Sequence, residues 1–137
     1  MIVELAMCAG LLLGSDPSVE AEPKDGELLA IEQNIIQYTN LERAKYGLQP
    51  LGVDEELMRT AREHCSWMAR THRMVHTTRP VAENIAMGQS HSSEAVRSWM
   101  NSSGHRANIL NRGHDRIGVA AYRSPSGTIF WCQQFRR

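Results

Sequence analysis

The sequence predicts a single α+β domain, with helices packed on a small antiparallel sheet. The chain has 137 residues, a length that supports one domain with one modest core. Apolar residues recur at helical spacing early in the chain and at strand spacing in its last third. Helices first and a hairpin last is the element order of the α+β class. A composition that is 42% hydrophobic and 22% charged excludes wholesale disorder, a collagen-like repeat and a multi-span membrane protein.

Residues 1–14 read as an apolar leader. Ile2, Val3 and the run from Leu5 to Leu13, broken by Glu4, are too short to span a bilayer and resemble the core of a secretory signal peptide. Leu5-Ala6-Met7-Cys8 is similar to a bacterial lipoprotein box, with Met7 where a small residue is usual, so lipid anchoring at Cys8 is a candidate outcome of export. Residues 15–26, with Pro17, Pro23 and several acids, read as an acidic linker. The folded domain is expected over residues 27–137.

Leu28, Ile31, Ile35 and Tyr38 mark a first helix that stops before Gly47. On it, Asn40 and Arg43 read as surface or capping residues. Gly47-Leu48-Gln49-Pro50-Leu51 is a helix stop and turn. Asp54 is a good N-cap, and Glu55 and Glu56 sit favourably in the first turn of a second helix. Leu57, Ala61, Cys65 and Met68 are its buried face, to about Thr71. Arg79-Pro80 and Val81 to Gly88 read as a loop. Ser93 to Met100 is a third helix with Ala95, Val96 and Trp99 inward. Ile117 to Tyr122 and Thr128 to Phe135 are strands joined at Pro125-Ser126-Gly127, a hairpin. Trp67, Trp99 and Trp131 read as core or sheet cover, and Met87 and Met100 as core or as a soft wall near the site.

Charge is distributed unevenly. Lys plus Arg number 15 and Asp plus Glu 15, so the formal net charge is zero. Residues 1–32 hold seven acids and one base, whereas residues 33–137 hold eight acids and 14 bases. The domain from Glu27 onward therefore carries a net charge of +4. Arg97, Arg106, Arg112, Arg116, Arg136 and Arg137 are candidates for a basic surface that binds an anionic wall polymer. No aromatic–basic interleaving accompanies them, so a nucleic-acid partner is not expected. Cys8, Cys65 and Cys132 include no CxxC pair, which speaks against a structural zinc site.

Six histidines invite a metal reading, because neutral imidazole is a common transition-metal ligand. His64, His72 and His76 are the nearest in sequence, and they read as solvated or capping residues. His76 and His105 form a more informative pair. His76 precedes the loop leading to Ala82-Glu83-Asn84-Ile85-Ala86. His105 sits in Gly104-His105-Arg106, a glycine corner able to present one imidazole to a cleft.

At this point the chain resembles a family. Gly47 to Leu51, Ala82-Glu83-Asn84-Ile85-Ala86-Met87-Gly88, Trp99 to Leu110, Ile117-Gly118-Val119 and Trp131-Cys132-Gln133-Gln134-Phe135 are similar, in order, to stretches of the CAP superfamily. That superfamily comprises cysteine-rich secretory proteins, antigen 5 and pathogenesis-related 1 proteins, here in the short bacterial form. The resemblance covers about Glu27 to Phe135. It implies an α-β-α sandwich, with a small antiparallel sheet between helical layers. It also implies a surface cleft lined by two histidines, matching His76 and His105, and by acids, the first matching Glu83. The second acid of eukaryotic relatives falls on Ser102 here, and Glu94 is a weak substitute. The segment between His76 and Glu83 is short for the family.

Three functional readings follow, two from the resemblance and its histidines and one from the charge. The first is a secreted, extracellular or cell-envelope binding module, monomeric and without a transmembrane span, that takes a lipid, an envelope component or a protein. Zn²⁺ or another divalent metal would sit at His76 and His105, with Glu83 orienting His76 from behind. The second is a metal-dependent hydrolase using the same histidines. Ser102 as nucleophile with His105 as base is set aside, since adjacency in sequence is not triad geometry. The third is the Arg-rich surface. Cys65 and Cys132 are a candidate disulfide, because the family's helices pack on the last strand; the alternative is two separate buried thiols.

Overall fold

The structure is a computed structural model that describes residues 26–137. The leader, Cys8 and all but the end of the linker lie outside the described residues. Eight elements follow: α1 (Ala30–Lys45), β1 (Gly52–Val53), α2 (Glu55–Thr71), β2 (Ala82–Met87), α3 (Ser92–Met100), α4 (Ser103–Ile109), β3 (Arg116–Arg123) and β4 (Ile129–Arg136). The strands form one sheet in the order β1-β3-β4-β2. β3 and β4 form the expected hairpin, and β2 joins β4 antiparallel, whereas β1 runs parallel to β3. The sheet is thus mixed rather than purely antiparallel, by the margin of a two-residue edge strand.

The segment read as a loop at residues 81–88 is in fact strand β2. Its pattern misleads because Glu83 and Asn84 are buried polar residues, which break the apolar alternation expected of a strand. β2 is an edge strand. The carbonyls of Glu83 and Ile85 accept hydrogen bonds from Asn108 Nδ2 (3.3 Å) and Trp99 Nε1 (3.1 Å). Side chains of α3 and α4 thus occupy groups through which another strand would pair.

Helices cover both faces. Ala61, Cys65, Met68 and Ala69 of α2 pack with Ile85, Ala120, Phe130 and Cys132. Ile35 of α1, with Ala95, Val96 and Trp99 of α3 and Ile109 of α4, packs with Ala86, Ile117, Val119, Trp131 and Phe135. Alternate residues of β3 and β4 divide between the two layers, as the period-2 pleat requires. Trp99 and Trp131 are buried and Trp67 is partly so. Met100 is partly buried against the core, but Met87 is exposed rather than core.

α2 starts as its sequence dictates. Asp54 Oδ1 accepts from the Leu57 N–H (3.0 Å), and Oδ2 accepts from Arg136 Nε (2.9 Å) and Nη2 (2.6 Å). Burial alone would raise this carboxyl's pKa, but the Leu57 N–H and Arg136 outweigh it and hold the pKa below the ordinary value. A carboxyl whose pKa falls on folding contributes stability above its unfolded pKa. That contribution is lost as pH falls through the folded pKa. Asp54→Ala is therefore expected to cost about 1–2 kcal/mol at neutral pH, the usual worth of an N-cap. Urea titrations should show this difference shrinking below about pH 4, where a free Asp protonates. A difference that persists undiminished at pH 2.5 would contradict the assignment.

Arg43, read as a surface residue, is buried. Its Nε donates to the Gln49 carbonyl (2.9 Å), Nη1 to those of Ile109 (2.7 Å) and Asn111 (3.0 Å), and Nη2 to that of His114 (3.3 Å). Asn40 is likewise structural. Its amide group donates to the Leu51 carbonyl (3.2 Å) and accepts from the Leu51 N–H (2.8 Å), pinning the turn after α1.

Candidate functional site

Two polar networks cross the sheet at one level, one on each face. Glu83 and Asn84 lie opposite Gln134 and Gln133 in the β2–β4 register, and successive residues of a strand face opposite ways. On the α2 face, Glu83 Oε2 accepts from Gln134 Nε2 (2.9 Å), and Gln134 Oε1 accepts from Thr60 Oγ1 (2.6 Å). On the other face, Asn84 Nδ2 donates to Gln133 Oε1 (3.1 Å), and Gln133 Nε2 donates to Thr39 Oγ1 (2.6 Å). Asn84 also donates to the His105 carbonyl (3.0 Å) and accepts from Asn108 Nδ2 (2.9 Å), which docks α4. Neither glutamine was singled out in the sequence. The available signal was a polar pair inside each of two otherwise apolar strands.

Glu83 is the hub. Its Oε1 accepts from His76 Nδ1 (2.9 Å) and from the Thr77 N–H (2.9 Å). Its Oε2 accepts from Gln134 and from the Cys132 thiol (3.6 Å). Its side chain is only 2% exposed, against 60% for that of His76. A carboxylate with two partners on each oxygen is an orienting group rather than a free base. It accepts from Nδ1, so neutral His76 keeps its proton there and carries its lone pair on Nε2.

His105, on α4, is half-buried. Burial holds its pKa below the ordinary histidine value, and the positive form of His76 lowers it further. Ser102 is at the N-cap position of α4, and its side chain makes no capping bond. Glu94 is exposed on the first turn of α3, where its Oε2 accepts from the Ser90 N–H (3.1 Å). The fold thus commits Glu94 to the start of α3.

Among the histidines near α2, His64 and His76 reach the same carboxylate. His64 Nε2 lies 4.0 Å from Glu83 Oε1 and 2.6 Å from the Val75 carbonyl. His72 is the left-handed C-cap of α2 and meets Phe130 edge-on. No group of three or more His, Cys, Asp or Glu residues among those described is arranged to hold a metal. Cys65 and Cys132 are both buried free thiols. Their sulfurs donate to the Phe130 carbonyl (3.1 Å) and to Glu83, and burial pushes both thiol pKa values up. Two of the six surface arginines are paired: Arg116 and Arg136 both approach Asp54, and Arg136 also meets Glu56. A groove of about 570 Å³ beside α2, lined by Leu28, Val53, Met58, Arg59 and Tyr122 among others, includes none of the histidines.

A mixed four-stranded sheet between helical layers defines the fold class, and comparison with known proteins gives the family. Residues 36–135 match the model of the cysteine-rich secretory protein family. The chain belongs to this family, the CAP superfamily. It is similar to the uncharacterized protein YkwD of Bacillus subtilis, with 37% identity over 123 residues, covering 77% of this chain and 47% of that one. The chain thus spans about half the length of that relative. A solved extracellular protein of Bacillus anthracis that contains an SCP domain superposes with a TM-score of 0.66 at 23% identity, over 82% of this chain and 45% of that one. NaASP2, solved with Zn²⁺, superposes with a TM-score of 0.64 at 13% identity, over 83% of each chain. These superpositions concern the fold.

Proposed function

We propose that this protein is a non-enzymatic extracellular binding module. In this reading the cleft takes a divalent metal such as Zn²⁺ at His76 and His105, and the domain engages a lipid, an envelope component or a protein. The observation that carries the reading is the state of Glu83. Four donors saturate it, so it fixes His76 with Nε2 outward, as carboxylates behind metal-binding histidines do. His105, with its lowered pKa, favours the neutral form that a metal requires. Two imidazoles fill half of a tetrahedral shell and leave the rest to water or ligand, which fits a weak site. The same saturation leaves Glu83 unsuited to act as a general base, which favours binding over hydrolysis. The B. anthracis neighbour supports the extracellular part of the reading, and NaASP2 supports the metal.

Calorimetric titration of the protein with ZnCl₂ tests this. One equivalent is expected to bind, and either His76→Ala or His105→Ala should abolish binding. Glu83→Gln should weaken it by roughly 10- to 100-fold, the usual effect of removing such an orienting carboxylate. His91→Ala, an exposed histidine before α3, should leave it unchanged. Equal binding by the wild type and both cleft alanine variants would remove the metal from this site.

A further inference from the structure

The loop that delivers His76 to the cleft has a second, outward side. From His64 to Ala82 the chain contains no acid, but it holds Arg70, Arg73, Arg79 and three histidines. Arg70 and Arg73 are exposed. Arg79 lies 3.8 Å from Glu63, which Arg59 already holds at 2.9 Å. The other acid nearby, Glu83, is buried and saturated. Within this cationic stretch Met74 and Val75 are 39% and 50% exposed.

Their exposure is built into the backbone. His72 ends α2 at φ 53°, a left-handed turn that redirects the chain. The Arg73 N–H returns to the Met68 carbonyl (3.1 Å), and His64 Nε2 holds the Val75 carbonyl at 2.6 Å. The loop is pinned through its main chain at both ends of the Arg73–Val75 segment, and two apolar side chains are left in solvent between cations.

We propose that this loop docks the domain on an anionic phospholipid surface. Arg70 and Arg73 pair with headgroup phosphates, while Met74 and Val75 enter the boundary between headgroups and acyl chains. Cations around a small apolar tip are the combination that interfacial binding uses. An anionic polymer satisfies the arginines equally well but offers Met74 and Val75 nothing apolar to enter, so the apolar pair selects the membrane. The test does not depend on the proposed metal binding.

Co-sedimentation of the full chain with vesicles tests the proposal. Vesicles of phosphatidylcholine alone are compared with vesicles that also carry phosphatidylglycerol, with soluble polyglycerol phosphate as competitor. The apolar run at residues 2–13 is common to all arms, so the quantity read is the preference for anionic over neutral vesicles. A preference of roughly tenfold or more is expected. Arg70→Ala with Arg73→Ala should remove it. Met74→Ser with Val75→Ser should weaken binding several-fold while keeping the His64 bond, which uses the Val75 main chain. Arg97→Ala with Arg112→Ala, at exposed arginines elsewhere, should leave the preference intact. The proposal is overturned by the absence of a preference, or by an equal loss in the Arg97/Arg112 variant. Binding that the serine pair does not affect and that polyglycerol phosphate fully displaces also overturns it, in favour of an anionic polymer.

Discussion

Arg43→Met is expected to cost about 3–4 kcal/mol, a large share of the 5–15 kcal/mol that holds a domain together. Arg43 is 2% exposed, and its guanidinium forms no ion pair among the described residues. It donates to four main-chain carbonyls, at Gln49, Ile109, Asn111 and His114. Burial lowers its pKa, but a guanidinium stays charged even so, and hydrogen bonds from a charged donor are worth about 1.5–3 kcal/mol each. Methionine fills the space of the stem but supplies no donor. Water can reach the carbonyls of the exposed residues Gln49 and Asn111. The carbonyl of fully buried Ile109 is left without its partner, at about 1–3 kcal/mol. Arg43→Lys should recover only part of the loss, because one ammonium cannot span carbonyls arrayed around a planar fork. Urea denaturation of the three proteins checks this. A cost below about 1 kcal/mol for methionine would show that the clamp is replaceable by solvent.

The clamp also reaches the site. Ile109 ends α4, the helix that carries His105, and Asn111 and His114 follow it. Arg43 therefore ties the C-terminal end of α4 to α1, while Asn84 and Asn108 tie α4 to the sheet. Under the proposed function, Arg43→Met should loosen α4 and weaken Zn²⁺ binding beyond the effect of reduced stability alone.

Several elements were legible because their local chemistry and burial agree. Asp54 announces α2, and Leu57, Ala61, Cys65 and Met68 then trace its buried row. The hairpin was legible from two strand-like runs around Pro125-Ser126-Gly127. Arg43 was not legible, because an arginine in a helix is ordinarily solvated. Its position did carry a signal: Ile35, Thr39 and Arg43 stand four apart and share one buried row. β1 escaped because two residues are too few to show a period. β2 escaped because Glu83 and Asn84 are buried by bonding across the sheet, to Gln134 and Gln133, and such pairings are long-range. Of the candidate site, His76 and His105 stood out by the turn-forming residues around them, and the role of Glu83 came from the family resemblance. That resemblance could not place Glu94, which is held locally by the Ser90 N–H.

Gly118→Ala is expected to be the most damaging single-methyl change in the domain. Gly118 faces α2 from β3, and a Cβ there would fall deep inside van der Waals contact with the carbonyl carbon and oxygen and the Cβ of Leu57. Two of these are main-chain atoms, so no rotamer change relieves the clash, and α2 must move off the sheet. Overpacking a core usually costs 1–3 kcal/mol, and a clash with fixed backbone belongs at about 3 kcal/mol or above. The displacement acts on the site as well, since α2 carries Thr60, which supports Gln134, and His64, which holds the Val75 carbonyl. Gly118→Val should prevent folding. Gly104→Ala is the control: no heavy atom lies within 4 Å of the added Cβ. In the first turn of α4 this change should be neutral or stabilising by up to about 1 kcal/mol. Thermal and urea unfolding of the two alanine variants side by side decides the matter. Equal stability would mean that α2 does not rest on Gly118.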